Sequence, residues 1–296
     1  MTAEKSILNL TEKIESAMNE SILALQSLLR IEKYESSTHH TVIVTGWDND
    51  RDSKHLIAQY LVGLRASAID CALNIKAYLL EDSDVGKVDL RGSVSEIVGA
   101  SNDSLTKVQK RDERNPWLAE AIWHLCLVLA NKKPEIHPPG RVIAVKDVHV
   151  KAKDHGLDGL ALYVNDQGIG LSVIESKAYK NDPSRAIEKA IKYFKEIDGD
   201  KHTTRIRQDV NAMRIGLPRD VQEQVRGLFW NKLRTYMPNP HYDAATIMDW
   251  TQPHNVFSRH LSVDKESIIV MPHIIRDFDR FFEEISDLMR EFVEGL

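Results

Sequence analysis

Apolar side chains recur every three to four residues along the first part of the chain. They stand at Ile7, Leu10, Ile14, Met18, Ile22, Leu25 and Leu29. This spacing predicts one long amphipathic helix over residues 4–33. A β-branched run predicts a strand over residues 41–46, and helical spacing predicts a second helix over residues 53–80. Residues 81–114 are polar and contain several glycines, so we expect a loop-rich connection with one short helix.

An apolar run that starts at Pro116 predicts a central helix, because its positions are apolar nearly all round. Strand-like runs follow over residues 141–150, 157–164 and 170–176, and residues 165–168 fit a hairpin turn between the last two. The remaining predicted elements are a helix over residues 183–197, one or two helices over 204–237, strands over 244–250 and 267–271, and a terminal helix over 277–293.

The order of these elements predicts an α/β fold, in which a mixed β-sheet is flanked by helices. We expect two regions. Residues 1–105 form a mainly helical N-terminal region suited to binding a partner or to regulation, and residues 106–296 form the domain with the candidate chemistry, the later strands and the last helix.

Two charged residues close the third strand of that domain. Glu175 and Lys177 are two positions apart, so strand geometry places them on one face. Asp158 stands between small residues near the start of the preceding strand, and hairpin pairing would bring it beside Glu175. Magnesium prefers oxygen ligands, and a nearby lysine can orient a water and stabilise charge on a phosphate. The pattern therefore predicts hydrolysis of phosphodiesters that depends on Mg²⁺ or Mn²⁺.

A simpler interpretation treats Glu175 and Lys177 as an ordinary exposed pair and Asp158 as a turn residue. The apolar strand that the pair closes, the Asp-Gly of the hairpin and the basic helix that follows favour the metal site instead.

The arrangement of Asp158, then Glu175-Ser176-Lys177 closing a strand, then a helix, resembles the PD-(D/E)XK nuclease superfamily over about residues 115–200. The resemblance implies a restriction-endonuclease-like core in which both carboxylates and the main-chain carbonyl of Ser176 bind the metal. It also implies that Lys177 serves the attacking water. Leu157 stands where the family name has proline, a departure that many members share.

A finer resemblance rests on two strings, His155-Gly156-Leu157-Asp158-Gly159 and Glu175-Ser176-Lys177-Ala178-Tyr179. They are similar to the HamA family, the small nuclease subunits of the Hachiman anti-phage defence system. This resemblance implies a bacterial effector that degrades DNA when a helicase-type ATPase partner, HamB-like, senses abnormal DNA ends and releases it.

Glu120 lies in the apolar helix, where a buried carboxylate is costly unless it is paired, neutralised or bound to metal. The superfamily resemblance implies a place near the metal, and an exposed position at the helix edge is the alternative. His124, one turn further on, is its expected partner.

Several residues are candidates for holding DNA. Arg185, Lys189 and Lys192 share one face of the predicted helix over 183–197, although a solvated helix face has the same pattern. The other candidates are His155, Tyr179 and Lys180. His155 either contacts substrate or caps a turn. A second metal site built from His241 with Asp243, or His254 with His260, is only weakly indicated.

The net charge of −5, from 39 basic and 44 acidic residues, gives no overall attraction to DNA. We therefore expect local attraction or help from a partner. Both cysteines, Cys71 and Cys126, fit free thiols in the core. We expect a cytoplasmic protein with no membrane role, since the N-terminus has no secretory pattern and the longest apolar segment is short and carries charge.

Two other functions remain open. One is a non-catalytic scaffold or partner-binding subunit with a degenerate nuclease fold, which the acidic charge favours. The other is a stand-alone restriction-type endonuclease, which would form a symmetric dimer. No glycine-rich phosphate loop occurs in the sequence, so we do not expect ATP hydrolysis.

Overall fold

The computed structural model of the chain describes residues 3–80, 85–151, 156–226 and 233–296. Its helices are α1 (Ala3–Leu28), α2 (Arg51–Leu80), α3 (Val85–Val98), α4 (Lys107–Gln109), α5 (Asn115–Leu129), α6 (Pro183–Asp198), α7 (Thr203–Arg214), α8 (Arg219–Arg226), α9 (Val256–His260) and α10 (Phe278–Gly295). Its strands are β1 (Arg30–Glu35), β2 (His40–Thr45), β3 (Arg141–Val145), β4 (Gly159–Asn165), β5 (Gly168–Ala178), β6 (Arg234–Asp243), β7 (Ile269–Val270) and β8 (His273–Ile275). The predicted mixed α/β class is confirmed.

The main sheet has five strands in the order β3-β4-β5-β6-β8. Strands β3, β4 and β5 run antiparallel, whereas β6 and β8 continue the sheet in parallel with β5. The predicted hairpin is confirmed, because Asn165 pairs with Gly168 across a two-residue turn. Gly168 has φ of 124°, a conformation that strongly favours glycine. The hairpin register places Gly159 opposite Ile174, which fixes Asp158 beside Glu175.

Helices cover both faces of this sheet. Ala161 and Ile174 belong to the apolar cluster that contains the buried side chains of α5. Leu160 and Val173 belong to a second apolar cluster, which contains most of the buried apolar side chains of α6. Strands covered on both faces lose the alternation of apolar and polar residues, which explains the apolar runs in β4 and β5. Helix α5 is buried on nearly all sides, as the sequence predicts.

A smaller sheet, in the order β1-β2-β7, joins the two ends of the chain. Strand β2 pairs in parallel with β7, and α10 packs against α2 and α3. The predicted division into residues 1–105 and 106–296 stays a prediction. No helix among the described residues is both long and apolar enough to cross a membrane.

Two predictions for the N-terminal half were wrong. The helix predicted to continue to residue 33 ends at Leu28, because Arg30–Glu35 pairs along its whole length with β2. The region 81–114 is largely helical where it is described. Leu90, Val94 and Ile97 of α3 are buried at helical spacing, and tertiary packing outweighs the low helix propensity of its glycines.

Predictions for the C-terminal half were wrong in three places. Residues 234–237, predicted as helix, begin β6, and residues 244–250, predicted as a strand, lie outside the strands. The strand predicted over residues 141–150 ends at Val145. Strand β6 contains Pro238 and Pro240, residues that propensity excludes from a central strand, and the carbonyl of Pro238 accepts a hydrogen bond from Met271.

Candidate metal centre and catalytic site

The β4–β5 hairpin brings Asp158 to the end of β5. Asp158 Oδ2 accepts a hydrogen bond of 2.9 Å from the backbone N–H of Ser176 and one of 3.0 Å from Lys177 Nζ. Asp158 precedes β4, whereas Ser176 and Lys177 lie near the end of β5, so these contacts connect the two open ends of the hairpin. The predicted meeting of Asp158 with the Glu175-Ser176-Lys177 string therefore occurs in the structure.

The ammonium of Lys177 lies among three oxygen atoms. Glu175 Oε1 is 2.6 Å away, the main-chain oxygen of Ser176 is 2.9 Å away, and Asp158 Oδ2 is 3.0 Å away. Burial alone would lower the pKa of Lys177, but the charges of Asp158 and Glu175 raise it. The lysine therefore keeps its charge and neutralises this cluster of oxygens.

Glu175 is almost fully buried, with 6% of its surface exposed. Burial, and then the charge of Asp158, raise its pKa to about 8, although Lys177 opposes the shift. One of its oxygens, Oε2, has no hydrogen-bond partner among the described residues. A buried carboxylate oxygen without a donor is costly, and a bound cation would remove that cost.

Glu120 lies close to the same cluster, but its partner is not the predicted one. Its Oε1 accepts 3.0 Å from the backbone N–H of His149, and its Oε2 lies 3.1 Å from His149 Nδ1. His124 instead places its Nδ1 2.9 Å from the hydroxyl of Tyr60, so the predicted pair of Glu120 and His124 was wrong. Burial raises the pKa of Glu120, and the hydrogen bond from His149 opposes this shift.

His149 is a site residue that the sequence did not reveal. It follows β3 in an irregular segment, and its main-chain oxygen accepts a 2.8 Å hydrogen bond from Trp117 Nε1. No short motif surrounds His149, whereas His155 stands next to the conspicuous Gly-Leu-Asp-Gly string. The predicted site residue His155 lies outside the described residues.

Two sets of possible metal ligands share Asp158. One atom each of Glu120, His149 and Asp158 lie within 4.8 Å of one another, close enough for all three to contact one metal ion. The second set is Asp158, Glu175 and the Ser176 carbonyl, all of which reach Lys177 Nζ. Carboxylate and carbonyl oxygens fit Mg²⁺ or Mn²⁺, whereas an added imidazole favours a transition metal.

A cleft of about 310 Å³ opens beside these residues. Glu120, His149, Asp158, Ser176 and Lys177 all contribute to its wall. The carboxylates are therefore next to a space that a small ligand can enter.

The predicted DNA-binding residues separate into different places. Tyr179, Lys180 and Arg185 line a groove that adjoins the cleft. Lys192 lines another cavity between α6 and α9, and Lys189 is exposed on α6. The structure thus does not gather the basic residues of α6 into one surface beside the site.

The weakly indicated second metal sites are not formed as predicted. His241 contacts His273, with their Nδ1 atoms 3.0 Å apart, while Asp243 accepts backbone hydrogen bonds from Ala245 and Phe278. His254 and His260 line the cavity between α6 and α9. Neither pair belongs to a group with metal-ligand geometry in the described part of the chain.

Comparison of the chain with models of protein families gave no match, and comparison with curated proteins gave none either.

Proposed function

We propose that this chain is a metal-dependent nuclease that hydrolyses phosphodiester bonds of DNA, with Mg²⁺ or Mn²⁺ as cofactor. One observation carries the proposal. Asp158, Glu175 and the Ser176 carbonyl, which the PD-(D/E)XK resemblance assigns to the metal, converge on a single point that Lys177 Nζ reaches at 2.6–3.0 Å.

The order of the elements supports the same proposal. Helix α5 precedes the antiparallel strands β3, β4 and β5. Helices α6, α7 and α8 follow, and then β6 pairs in parallel with β5. Asp158 precedes the second of these strands and Glu175 to Lys177 lie in the third. A helix, an antiparallel hairpin sheet and a further strand after a helix are the elements that the PD-(D/E)XK resemblance implies, and their presence supports the proposal.

Asp158, Glu175 and the Ser176 carbonyl would hold the metal, and one atom each of Glu120 and His149 lies within 4.8 Å of a carboxylate oxygen of Asp158. When bound, the ion polarises the scissile phosphate and makes a water more acidic. Because a cation among the carboxylates would take over the role of the ammonium, Lys177 becomes available to substrate. Its N–H groups can then donate to the attacking water and to the phosphate oxygen on which negative charge develops.

His149 contributes a fixed imidazole. The carboxylate of Glu120 accepts a hydrogen bond from its Nδ1 and so fixes the orientation of the ring. Nε2 is buried and has no hydrogen-bond partner among the described residues. We assign His149 the role of holding a ligand or a water through this atom, while Glu120 fixes its orientation.

The proposal extends to a biological setting on the HamA resemblance. The chain would be the effector subunit of a bacterial anti-phage complex, controlled by a helicase-type ATPase. Its net charge of −5 supports dependence on a partner, because a freely acting nuclease gains from general attraction to DNA.

The decisive experiment measures Mg²⁺-dependent cleavage of DNA by the chain alone and together with its helicase-type partner. We expect Glu175→Gln and Lys177→Ala to abolish cleavage while circular dichroism and thermal unfolding show a folded protein. Glu188→Gln is the matched control, since Glu188 is an exposed glutamate on α6. Full cleavage by both site variants would rule out the proposal.

A scaffold with a degenerate nuclease fold is the second candidate. It is favoured by the contacts of Lys177, whose ammonium pairs with one oxygen of each carboxylate and gives these oxygens a structural role. Under this alternative, the wild-type chain with its partner binds DNA but does not cleave it in either Mg²⁺ or Mn²⁺.

A further inference from the structure

A groove of about 620 Å³ runs beside the metal cleft. Arg111, Ala178 and Tyr179 line both spaces, so the groove and the cleft are continuous. One wall comes from the segment before α5, and another comes from the chain that leaves β5 towards α6. Asp279 and Glu283 of α10 also line it.

The groove is positively charged within an acidic protein. Its lining contains three acidic residues and six basic ones, namely Lys107, Lys110, Arg111, Arg114, Lys180 and Arg185. The whole chain carries a net charge of −5. Positive charge is therefore concentrated next to the site at which a phosphodiester would be cleaved.

The segment 107–114 explains why four of these cations lie together. Lys107, Lys110, Arg111 and Arg114 follow the spacing of three, four and seven residues that places side chains on one helical face. Residues 107–109 are α-helical and Lys110–Arg114 form a π-helical turn, a rare conformation that is frequent at functional sites.

Three of the cations form no ion pair within the described part of the chain. Lys107 is exposed and forms no ion pair with a described carboxylate. Arg185 is exposed, and its guanidinium lies 5.4 Å from the ring of Tyr179. Arg114 is only 1% exposed, and its Nη1 has no hydrogen-bond partner among the described residues. An unpaired buried guanidinium nitrogen favours an anionic acceptor.

Of the other three cations, Lys110 and Lys180 are paired with acids on α10, and Arg111 is paired with the neighbouring Asp112. Lys110 lies 2.8 Å from Glu283, and Lys180 lies 2.5 Å from Asp279. Partly exposed pairs of this kind contribute little to stability, so a phosphate can compete with these carboxylates for the two lysines.

We propose that this groove binds the sugar-phosphate backbone of the DNA strand whose phosphodiester lies in the metal cleft. The inference rests on the proposed function and names its substrate contacts. Phosphates contact Lys107 and the basic face of residues 110–114, whereas Arg185 and Tyr179 supply planar groups against which a base can stack. An acidic protein segment is the competing occupant.

Fluorescence anisotropy tests the groove with the full chain in EDTA, which removes divalent ions and prevents cleavage. Labelled single-stranded and double-stranded oligonucleotides are titrated at several KCl concentrations. The variant K107Q/R185Q removes two cations of the groove. The control K189Q/K192Q removes two exposed cations of α6 that do not line it, with the same change in net charge.

We expect K107Q/R185Q to weaken binding about tenfold or more at low salt. A plot of the logarithm of the binding constant against the logarithm of the salt concentration has a negative slope. The magnitude of this slope should decrease by about 1.4 if the groove binds a single strand, or by about 1.8 if it binds a duplex. The control should change neither quantity. Equal losses in both variants, or no loss in K107Q/R185Q, would overturn the proposal.

A poly-glutamate peptide tests the competing occupant. If K107Q/R185Q loses binding to this peptide and keeps its binding to both oligonucleotides, the groove holds an acidic protein segment and our proposal is wrong.

Cleavage assays with Mg²⁺ and the helicase-type partner separate this inference from the nuclease proposal. If Glu175→Gln cleaves as the wild type does while K107Q/R185Q loses DNA binding, the nuclease proposal fails and the groove stands. If Glu175→Gln is inactive while K107Q/R185Q binds normally, the groove fails and the nuclease proposal stands.

Discussion

The carboxylate of Glu120 receives two contacts from one residue, His149, which follows it by 29 positions in the chain. The backbone N–H donates to Oε1 at 3.0 Å, and Nδ1 lies 3.1 Å from Oε2. The central helix thus fixes both the main chain and the ring of His149. A side chain held at two points keeps one orientation, which suits a metal ligand or a water-positioning group.

We predict that His149→Ala and Glu120→Gln weaken Mn²⁺ binding about 10-fold to 100-fold, because ligands and the groups that orient them both affect metal affinity. Isothermal titration calorimetry measures this change. Binding of an oligonucleotide in EDTA should be unaffected in the same variants, since neither residue lines the basic groove.

His124→Gln is the control for that prediction, because His124 lies on the same helix as Glu120 but contacts Tyr60 instead. If His124→Gln weakened Mn²⁺ binding as much as His149→Ala, the assignment of His149 to the metal centre would be wrong.

Removing the ammonium of Lys177 should lower the free energy of unfolding when no metal is bound, and bound metal should restore much of this loss. In EDTA, Lys177→Met leaves Asp158 and Glu175 without their cation, and we expect a loss of about 3 kcal/mol in the free energy of unfolding. Saturating Mn²⁺ should restore much of this loss, because the ion neutralises the same oxygens.

Urea unfolding with and without Mn²⁺ measures both effects. Lys180→Met is the control, since its exposed pair with Asp279 should be worth about 1 kcal/mol or less. A Lys177→Met variant that Mn²⁺ stabilises no more than it stabilises the wild type would contradict our assignment of these oxygens.

Acid should destabilise the fold through its buried histidines. Burial lowers the pKa to about 4 in each of four of them, namely His39, His124, His137 and His273. An unfolded histidine takes up a proton near pH 6.5, so between about pH 6.5 and 4 the unfolded chain binds more protons than the folded chain. The free energy of unfolding should therefore fall as the pH falls through this window.

Urea unfolding at pH 7 and pH 5 checks this dependence, with an expected contribution on the order of 1–2 kcal/mol for each histidine. His137 is the best single test, because its ring lies between the Gly140 carbonyl at 2.8 Å and the Ser172 hydroxyl at 2.7 Å. His137→Gln should reduce the difference in stability between the two pH values, whereas a difference unchanged by the substitution would exclude His137 as a source.

Gly170 supports the hairpin that carries the site. A Cβ atom at this position would lie 2.1 Å from Cζ of Tyr163, whose hydroxyl donates to the Leu233 carbonyl. Gly170→Ala should therefore lower the free energy of unfolding by about 1–3 kcal/mol. Gly216→Ala has open space and is the control. If thermal unfolding showed Gly170→Ala to be as stable as Gly216→Ala, the close packing of Tyr163 on Gly170 would be wrong.

Much of the site's framework followed from local sequence. Period-two geometry placed Glu175 and Lys177 together, and one hairpin with a short turn brought Asp158 to them. The mixed α/β class followed from the order of the predicted elements. These predictions succeeded because the interactions join neighbouring segments of the chain. In such segments the spacing of residues along the sequence determines which side chains lie close together.

The wrong predictions concern elements that depend on distant contacts. Strand β6 contains two prolines, and its pairing with β5 joins residues more than sixty positions apart, from Leu171 with Arg234 onwards. Likewise, Arg30–Glu35 is a strand because β2 pairs with it, although the sequence predicts that the first helix continues to residue 33. Local propensity cannot indicate a partner strand that the chain supplies elsewhere.

The sequence by itself determined the α/β class and the hairpin with Asp158, Glu175 and Lys177, because short-range backbone geometry specifies them. Only the tertiary structure decided that Glu120 pairs with His149 and that the cations of residues 107–114 meet Lys180 and Arg185 in one groove. These groups are separated by 29 to 78 positions and come together because helices and loops pack around the sheet. Burial then limits which partners they meet, and burial is a property of the packed molecule.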